Sequence, residues 1–439
     1  MGILTQAAGL IASLSLLIMA HELGHFLFAR IFKTRVEKFY LFFNPWFTIF
    51  KFRKGETEYG MGWLPLGGYV KIAGMIDESM DTAQLNEPPK PYEFRSKPAW
   101  QRLLIMTGGV VVNFLSALLI YILLMFFMGK EYIPASNLKY GVIWDSLALQ
   151  QGLQNGDKVV KIGDVVIEDY TEISRVMVND NPRTITVIRD SAERIVTLPE
   201  NFMAQVIDQR ALPLAFPAVP FIIDSVIAGM PAQEAGLLKD DVIVSVNGVE
   251  TPWYTDVITA IQAAKGQNIK VVANRAKCSD TLFVSVTNEG RIGIVARPAE
   301  KILSTKIIHY GFLASIPAGI NHGLITLRDY VRQLKWVFTR EGAKNVGGFG
   351  AIGSMFPKVW DWGMFWERTA FLSIILAFMN ILPIPALDGG HVLFVLFEMV
   401  TGRKPNDKFL EYAQIAGMIL LFSLLLFANG NDILRLFTR

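Results

Sequence analysis

A His-Glu-Leu-Gly-His string at residues 21–25 contains the residue types and the spacing that could do chemistry. On a helix, positions i and i+4 share a face, so the imidazoles of His21 and His25 could bind one metal ion. Glu22 would then lie beside that ion as a candidate general base. The string therefore predicts a metal site, and zinc is the metal that this pattern typically binds.

The apolar surroundings of this string favour a metal site over a surface pattern of charges. His21, Glu22 and His25 are the only ionisable groups in residues 11–29, a run long enough to cross most of a bilayer. Ionisable side chains at membrane depth are costly unless they are paired or ligated, because lipid does not solvate them. A salt-bridged surface helix is the alternative, but the flanking residues offer no polar face for it.

The composition indicates a membrane protein with soluble parts. Of the 439 residues, 52% are hydrophobic and 18% are charged, and the mean hydropathy is +0.36. Ordinary soluble proteins of this length are less apolar. The net charge of +3, without a basic tract, argues against a nucleic-acid partner. The single cysteine, Cys278, excludes an internal disulfide framework.

Four apolar segments predict an α-helical polytopic membrane protein in the lipid bilayer. They lie at about residues 4–29, 103–128, 369–400 and 412–428. Each uninterrupted run matches the roughly 20 apolar residues that a hydrocarbon core requires. The third segment is broken in the middle by two prolines and by Asn380 and Asp388. We expect the fourth to end at the turn-prone residues 429–431.

Lysine and arginine near the ends of these segments predict the orientation. Basic residues cluster at positions 30–38, 90–102 and 403–408. We therefore expect residues 31–101 and 401–411 on the cytoplasmic side and residues 129–360 on the other side. His21 would lie about 14 Å below the cytoplasmic edge, which is the helical rise from there to Arg30.

Residues 36–72 alternate aromatic and polar side chains around Lys54–Gly55–Glu56, a pattern typical of a β-hairpin. The segment also contains enough Phe and Trp to lie in or on the membrane, and a plain cytoplasmic hairpin is the alternative. Gly67 and Gly68 precede Tyr69 and Val70. Two glycines at this position favour an edge strand that another backbone approaches closely.

Residues 129–300 contain an internal repeat with an offset of 84 residues. The matching positions are Val142–Ile143 with Val226–Ile227, Gly152–Leu153 with Gly236–Leu237, and Asp157 with Asp241. Two inserted tandem copies of one α+β domain explain this repeat. The pattern looks like that of PDZ domains, which bind an extended peptide or a C-terminus at a sheet edge.

These features predict the order of segments along the chain. We expect a first transmembrane helix at 1–30, a membrane-associated β region at 31–101, a second transmembrane helix at 102–128, PDZ-like domains at 129–219 and 220–300, an amphipathic membrane-surface helix and linker at 301–362, a broken third transmembrane segment at 363–400, and a hinge with the fourth transmembrane helix at 401–439. His309 and His322 belong to the amphipathic segment, and we expect no metal role for either.

Two histidines need a third protein ligand to form a zinc site. Asp388 is the best candidate, because the third segment is the only other apolar run with a carboxylate at membrane depth. Pro383 and Pro385 prevent a continuous helix there and free Asn380. Irregular backbone at this depth is tolerated only where it lines a cavity or contacts a partner. His391, one turn beyond Asp388, is a rival ligand.

Together these elements resemble the site-2 protease family of intramembrane zinc metalloproteases, in the arrangement of its bacterial sigma-E-regulating branch. The resemblance rests on the His-Glu-Leu-Gly-His string, on Asn-x-x-Pro-x-Pro-x-Leu-Asp-Gly at 380–389 and on the paired PDZ-like domains. Residues 65–71 and 93–114 are also similar to that branch, so the resemblance covers essentially the whole chain.

The resemblance implies roles for particular residues. It implies that Zn²⁺ is bound by His21, His25 and Asp388 and that Glu22 is the catalytic base. Residues implicated in substrate binding, by resemblance or by the strand-edge argument, are Asn380, Pro383, Pro385, Gly67, Gly68, Tyr69 and Val70. It also implies a bacterial inner-membrane enzyme of regulated proteolysis in a stress response, whose substrate is a single-pass protein such as a trimmed anti-sigma factor, with signal-peptide remnants as a further substrate.

The expected reaction is hydrolysis of a peptide bond within a transmembrane segment. Glu22 would take a proton from a water molecule acidified by zinc and return it to the leaving amine. The substrate helix would unwind and pair with the strand edge at 67–70, and the PDZ-like pair would act as a size filter. Two alternatives stay open: a membrane-anchored zinc peptidase of soluble or misfolded proteins, and a non-catalytic scaffold that presents PDZ-like domains.

Overall fold

A computed structural model describes residues 2–65, 67–75, 88–275, 278–303 and 305–437. The chain divides into two compact units, one formed by Met1–Gly129 with His309–Arg439 and the other by Lys130–Ile308. Part of the predicted cytoplasmic segment, at residues 76–87, lies outside the described residues.

The first unit begins with two long apolar helices and a small sheet. Helix α1 is Gly2–Ile31 and helix α2 is Ala99–Phe127. Between them lie β1 (Val36–Leu41), β2 (Phe50–Lys54), β3 (Thr57–Met61) and β4 (Tyr69–Ile72), followed by a 3-10 turn at Phe94–Ser96.

The four strands form one sheet in the order β2-β3-β1-β4. Strands β2 and β3 are the predicted hairpin, and Gly55 in its turn has a φ of 63°, which glycine adopts without a steric penalty. Strand β1 runs parallel to β3 and antiparallel to β4. Strand β4 follows Gly67 and Gly68, and among the strands that the structure describes it lies at the edge of the sheet, as the sequence predicts.

Helices α1 and α2 approach each other at glycines. A Cβ atom on Gly24 would lie 2.2 Å from the carbonyl oxygen of Gly108, and one on Gly108 would lie 2.7 Å from the carbonyl oxygen of Gly24. Small residues allow this close backbone contact, which is how many membrane helices pack. Because Gly24 lies inside the string 21–25, the contact holds that string directly against α2.

The second unit contains two consecutive α/β repeats. The first contains β6 (Val142–Trp144), α3 (Ser146–Gln150), β7 (Lys158–Ile162), β8 (Val165–Val166), α4 (Glu172–Asp180), β9 (Thr184–Arg189), β10 (Ala192–Thr197), α5 (Phe202–Asp208) and β11 (Ala215–Pro217). The second contains β12 (Phe221–Val226), α6 (Pro231–Glu234), β13 (Val242–Val246), β14 (Val249–Glu250), α7 (Tyr254–Ala263), β15 (Asn268–Arg275), β16 (Cys278–Ser285) and β17 (Ile294–Ala296). The unit also includes β5 (Lys130–Tyr132), which pairs with β18 (Lys306–Ile308), a 3-10 turn at Ala135–Asn137 and α8 (Ala299–Ile302).

The repeat seen in the sequence is also a repeat of structure. Strands β7 and β8 coincide with β13 and β14 at the same 84-residue offset. Buried Asp157 pairs with Arg189 at 2.7 Å in the first copy, and Asp241 pairs with Arg275 at 2.8 Å in the second. The hydrogen bond from Arg275 lowers the pKa of Asp241. Each copy thus contains an equivalent Asp–Arg ion pair. The assignment of the two copies as PDZ-like domains stays a prediction.

The remaining helices complete the first unit. They are α9 (Phe312–Val337), α10 (Arg340–Ala343), α11 (Phe349–Ser354), α12 (Trp362–Ile381), α13 (Asp388–Thr401) and α14 (Asp407–Phe437). In the described part of the chain, four helices are long and apolar enough to cross a membrane: α1, α2, α12 and the Lys408–Arg435 part of α14. This result agrees with the predicted polytopic membrane class.

Helix α9 corresponds to the predicted amphipathic helix, and it packs against α2 and α12. The rings of Phe312 and Phe126 are 5.9 Å apart, and those of Tyr330 and Phe378 are 5.7 Å apart. A Cβ on Gly319 would overlap the backbone of α2. Its predicted position on the membrane surface stays a prediction.

The fourth apolar helix differs from the expectation. A turn at residues 429–431 was expected, and this expectation is wrong, because α14 continues to Phe437. The side chain of Asn429 accepts a hydrogen bond from the amide of Phe349, and Asp432 accepts from the amides of Gly348 and Ala351. Polar side chains that favour a turn in isolation bind another segment here, so the helix is not interrupted.

Candidate metal centre

Three side chains from α1 and α13 converge. The Nε2 atom of His21 lies 3.1 Å from Oδ2 of Asp388, and the Nε2 atom of His25 lies 3.3 Å from the same oxygen. The two Nε2 atoms are 3.2 Å apart. The two histidines lie one turn apart on α1, and Asp388 is the first residue of α13. The three predicted ligands therefore form one cluster.

The break between α12 and α13 determines where Asp388 lies. Ala386 in this break has a φ of +80°, a strained conformation for a residue other than glycine. Its amide donates to Oε1 of Gln414 on α14 at 3.1 Å. A Cβ on Gly417 of α14 would overlap the carbonyl oxygen of Pro385. Helix α14 thus holds the break in place and lets α13 start at the cluster.

The donor atoms fit a zinc ion. Ligands of tetrahedral zinc, at about 2.0–2.1 Å from the metal, lie about 3.3 Å from one another. The three separations in the cluster are 3.1 to 3.3 Å. Oδ2 of Asp388 is buried, and it faces Nε2 of His21 and Nε2 of His25. A metal ion ligated by these three atoms would offset the cost of burying the carboxylate.

His391 is not part of the converging group. Within the described residues, the possible metal ligands whose atoms lie within 4.8 Å of one another are His21, His25 and Asp388. His391 lies outside this group, although it lines a cavity that adjoins the cluster. The geometry therefore favours Asp388 as the third ligand.

Helix α2 orients the two imidazoles. Nδ1 of His25 lies 2.9 Å from the carbonyl oxygen of Ile105. Because a carbonyl only accepts, Nδ1 carries the proton in this contact and Nε2 keeps a lone pair for a metal. A Cβ on Gly109 would lie 2.5 Å from Nε2 of His25 and 2.7 Å from Nδ1 of His21. The missing side chain at residue 109 therefore provides the space that both rings occupy.

A cavity of about 250 Å³ adjoins the cluster. Glu22 lines it together with Gly67 and Gly68, which precede β4, and with residues of α2, α12 and α13. A Cβ on Gly68 would lie 2.8 Å from Ile18 and 3.3 Å from Cγ of Glu22. The start of the edge strand therefore contacts α1 beside Glu22. Nδ2 of Asn380 lies 3.5 Å from Nε2 of His21, at the outer limit of a hydrogen bond.

The structure brings most of the predicted site residues to this cavity. Those lining it are His21, Glu22, Gly67, Gly68, Asn380 and Asp388. His25 and Val70 line an adjoining cavity of about 40 Å³ that also includes Glu22 and Asp388. Pro383, Pro385 and Tyr69 are outside the described linings of both cavities.

Tyr69 contributes to the sheet in another way. Its ring stacks on that of Tyr40 with centroids 5.2 Å apart. The hydroxyl of Tyr40 donates to Glu58 at 2.7 Å, and burial together with this hydrogen bond raises the pKa of Tyr40 to about 12. The stack joins β4 to β1 next to the cavity.

Sequence reasoning missed three residues of α2 that shape the site. Ile105 and Gly109 contact the imidazoles, and Asn113 lines the cavity. A weak signal for them exists in the sequence, because a glycine pair and a side-chain amide interrupt an otherwise apolar run. That signal does not reveal which face of α2 meets α1.

Comparison with known proteins gives similarity over nearly the whole chain. The profile of Peptidase family M50 matches residues 9–424. The regulator of sigma E protease of Haemophilus influenzae is 26% identical over 473 aligned residues, which cover 99% of this chain and 100% of the relative. Protease RseP of Yersinia pestis is 29% identical over 461 aligned residues, with coverage of 99% and 100%. An inferred zinc metalloprotease of Rickettsia conorii is 28% identical over 436 residues, with coverage of 98% and 99%.

Replacing Gly109 with alanine is expected to weaken metal binding. Alanine has a higher helix propensity than glycine, so the change would not destabilise α2 if the space beside residue 109 were empty. The new Cβ would instead displace the imidazoles, and we expect zinc affinity to fall by about tenfold or more. The measurement is a chelator-competition titration with zinc content determined by atomic absorption.

The matched control is Gly430→Ala on α14, where a Cβ would have no atom within 4 Å. This variant is expected to bind zinc like the wild type. Equal zinc affinity of the two variants would contradict the role assigned to residue 109.

Proposed function

We propose that this chain, which belongs to peptidase family M50, cleaves membrane-spanning segments of single-pass membrane proteins. The chain is an intramembrane zinc metalloprotease with several membrane-spanning helices. The observation that carries the proposal is the cluster of two imidazoles and one carboxylate, all within 3.3 Å of one another, beside a cavity lined by Glu22.

In this proposal His21, His25 and Asp388 hold the zinc ion. When bound, zinc acts as a Lewis acid that polarises a peptide carbonyl and lets water lose a proton near neutral pH. The carboxylate of Glu22 accepts that proton and then donates it to the nitrogen of the leaving amine. The amide of Asn380 donates a hydrogen bond to the carbonyl oxygen on which negative charge develops.

The start of β4 supports binding of an extended substrate backbone. A helical substrate bonds its carbonyls within the helix, so it must unwind before attack. Among the described strands, β4 pairs with β1 on one side only, and an extended chain can add to the other side. We propose that residues 67–70 bind the unwound segment in this way and that Pro383 and Pro385 shape the opposing break. Weak helix formers near the cut should favour cleavage.

The names of relatives support a narrower substrate class. One relative is named a regulator of sigma E protease and another Protease RseP. We infer that the substrate is a single-pass anti-sigma factor already trimmed outside the membrane, and that signal-peptide remnants are cleaved as well. This enzyme would lie in the bacterial inner membrane, with residues 31–101 in the cytoplasm.

The tandem repeats of the second unit would restrict access to the site. We propose that they are PDZ-like domains in the periplasm, which admit membrane stubs and exclude proteins that keep a large outer domain. The shared Asp–Arg ion pair and the matching strand positions support two copies of one domain.

Replacing Glu22 with glutamine is expected to abolish cleavage and to retain zinc, because the amide keeps the shape of the side chain and does not accept the proton. General acid–base catalysis contributes about 100-fold to 10,000-fold, and we expect a loss in that range. Cleavage of a single-pass substrate in detergent or lipid, with zinc content measured in parallel, checks it.

Asp388→Asn serves as the comparison, since it should lose zinc together with activity. Adding a chelator should stop the wild-type reaction, and zinc should restore it. Persistent cleavage by Glu22→Gln would remove Glu22 as the base.

Deleting residues 133–305 is expected to allow untrimmed substrates to be cleaved. An Asn–Gly linker replaces the deleted residues and keeps β5 and β18 paired, because Tyr132 and Lys306 lie opposite each other and a two-residue turn can join them. The measurement compares cleavage of a full-length and a trimmed substrate by the wild type and by the deletion variant. Trimmed substrate should be cut by both, and continued exclusion of the untrimmed substrate would contradict the size filter.

A further inference from the structure

We propose that Asn113 on α2 binds substrate, with its side-chain amide hydrogen-bonded to the backbone of the unwound segment. The inference rests on the proposed function and adds a residue that the motifs do not include. Asn113 lines the same cavity as Glu22 and Asp388, and its relative exposure is 1%. Neither Oδ1 nor Nδ2 of this side chain has a hydrogen-bond partner within the described residues.

A buried amide without partners is costly for the protein. A side-chain amide offers two donors and one acceptor, and burying them unpaired destabilises the folded state. Buried polar groups are nearly always hydrogen-bonded, so an unpaired one requires an explanation. An apolar residue would serve the packing of α2 better, which indicates that the amide meets its partner in another state of the enzyme.

Neighbouring contacts fix Asn113 beside the cluster of His21, His25 and Asp388. Its carbonyl oxygen accepts a hydrogen bond from Oγ of Ser373 on α12 at 2.7 Å, and that contact is buried. One turn earlier, Gly109 lies against both imidazoles. The rise between the two positions is about 6 Å along α2. The amide is therefore held within reach of a substrate at the zinc site.

The chemistry of the amide matches an extended peptide. A primary amide presents an N–H group and a carbonyl side by side. A residue in a strand presents its own N–H and C=O toward the same side, so the two can form a pair of hydrogen bonds. Gly67 and Gly68 line the same cavity and lead into the free edge of β4. An extended segment in the cavity would thus find hydrogen-bonding groups on β4 and on α2, which a lipid chain could not use.

The test is Asn113→Leu, which keeps the approximate volume and removes all three polar groups. Because the amide is unpaired in the free enzyme, we expect an unchanged or higher Tm and unchanged zinc content. Binding should weaken by tenfold or more. The probe is a fluorescent synthetic transmembrane peptide with a Gly–Ser pair at its centre, and its Kd is measured by anisotropy in the Glu22→Gln background. In the active enzyme the same change should raise KM more than it lowers kcat.

Thr107→Val is the matched control, because the hydroxyl of Thr107 donates to Leu103 within α2 itself. It should leave peptide affinity within twofold of the parent. Asn113→Gln should recover part of the binding lost in Asn113→Leu.

Two results would overturn the inference while leaving the proposed function intact. A lower Tm or zinc content for Asn113→Leu would show that the amide supports the protein's own structure, for example through a buried water. Unchanged peptide affinity would show that the amide does not touch substrate. If the Glu22→Gln parent bound no peptide and the wild type cut none, the proposed function would fail, and the role of Asn113 with it.

Discussion

Two imidazoles and a carboxylate within apolar helices are the constraint on which the rest of the structure depends. Such groups are tolerated at membrane depth only when they are paired or ligated. His21, His25 and Asp388 satisfy this condition by converging within 3.3 Å, with a spacing suited to zinc. A membrane scaffold without catalytic activity would have no need of this cluster or of the cavity beside it.

Each element around the cluster positions a different part of the site. The contact of Gly24 with Gly108 brings α1 against α2, and Ile105 fixes the orientation of His25. Helix α14 holds the strained break before Asp388 through Gln414 and Gly417. The sheet presents the edge of β4 beside Glu22, the proposed general base. The proposed metal ligands, the proposed proton acceptor and the edge of β4 thus lie around two adjoining cavities, and these are the groups that hydrolysis of an unwound helix requires.

The sequence predicts those features whose physics is local or strictly periodic. The spacing of His21 and His25, the break near Asp388, the hairpin at Gly55 and the 84-residue repeat all follow from short patterns. The family, the zinc dependence and the protease activity that the resemblance implied are confirmed. Contacts between segments that are far apart in the chain are harder to predict from the sequence. The continuation of α14 through Asn429 depends on residues about 80 positions earlier, and the roles of Gly109 and Asn113 depend on how α2 is rotated against α1.

The most direct test of this account is X-ray absorption spectroscopy of the zinc-loaded protein in lipid. It should detect a zinc shell of nitrogen and oxygen at about 2.0–2.1 Å with two imidazole signatures. Asp388→Ala should lose the metal or change that shell, and His391→Ala should leave it as it is. An unaltered zinc shell in Asp388→Ala, or loss of the metal in His391→Ala, would contradict the central claim that α1 and α13 share one zinc ion.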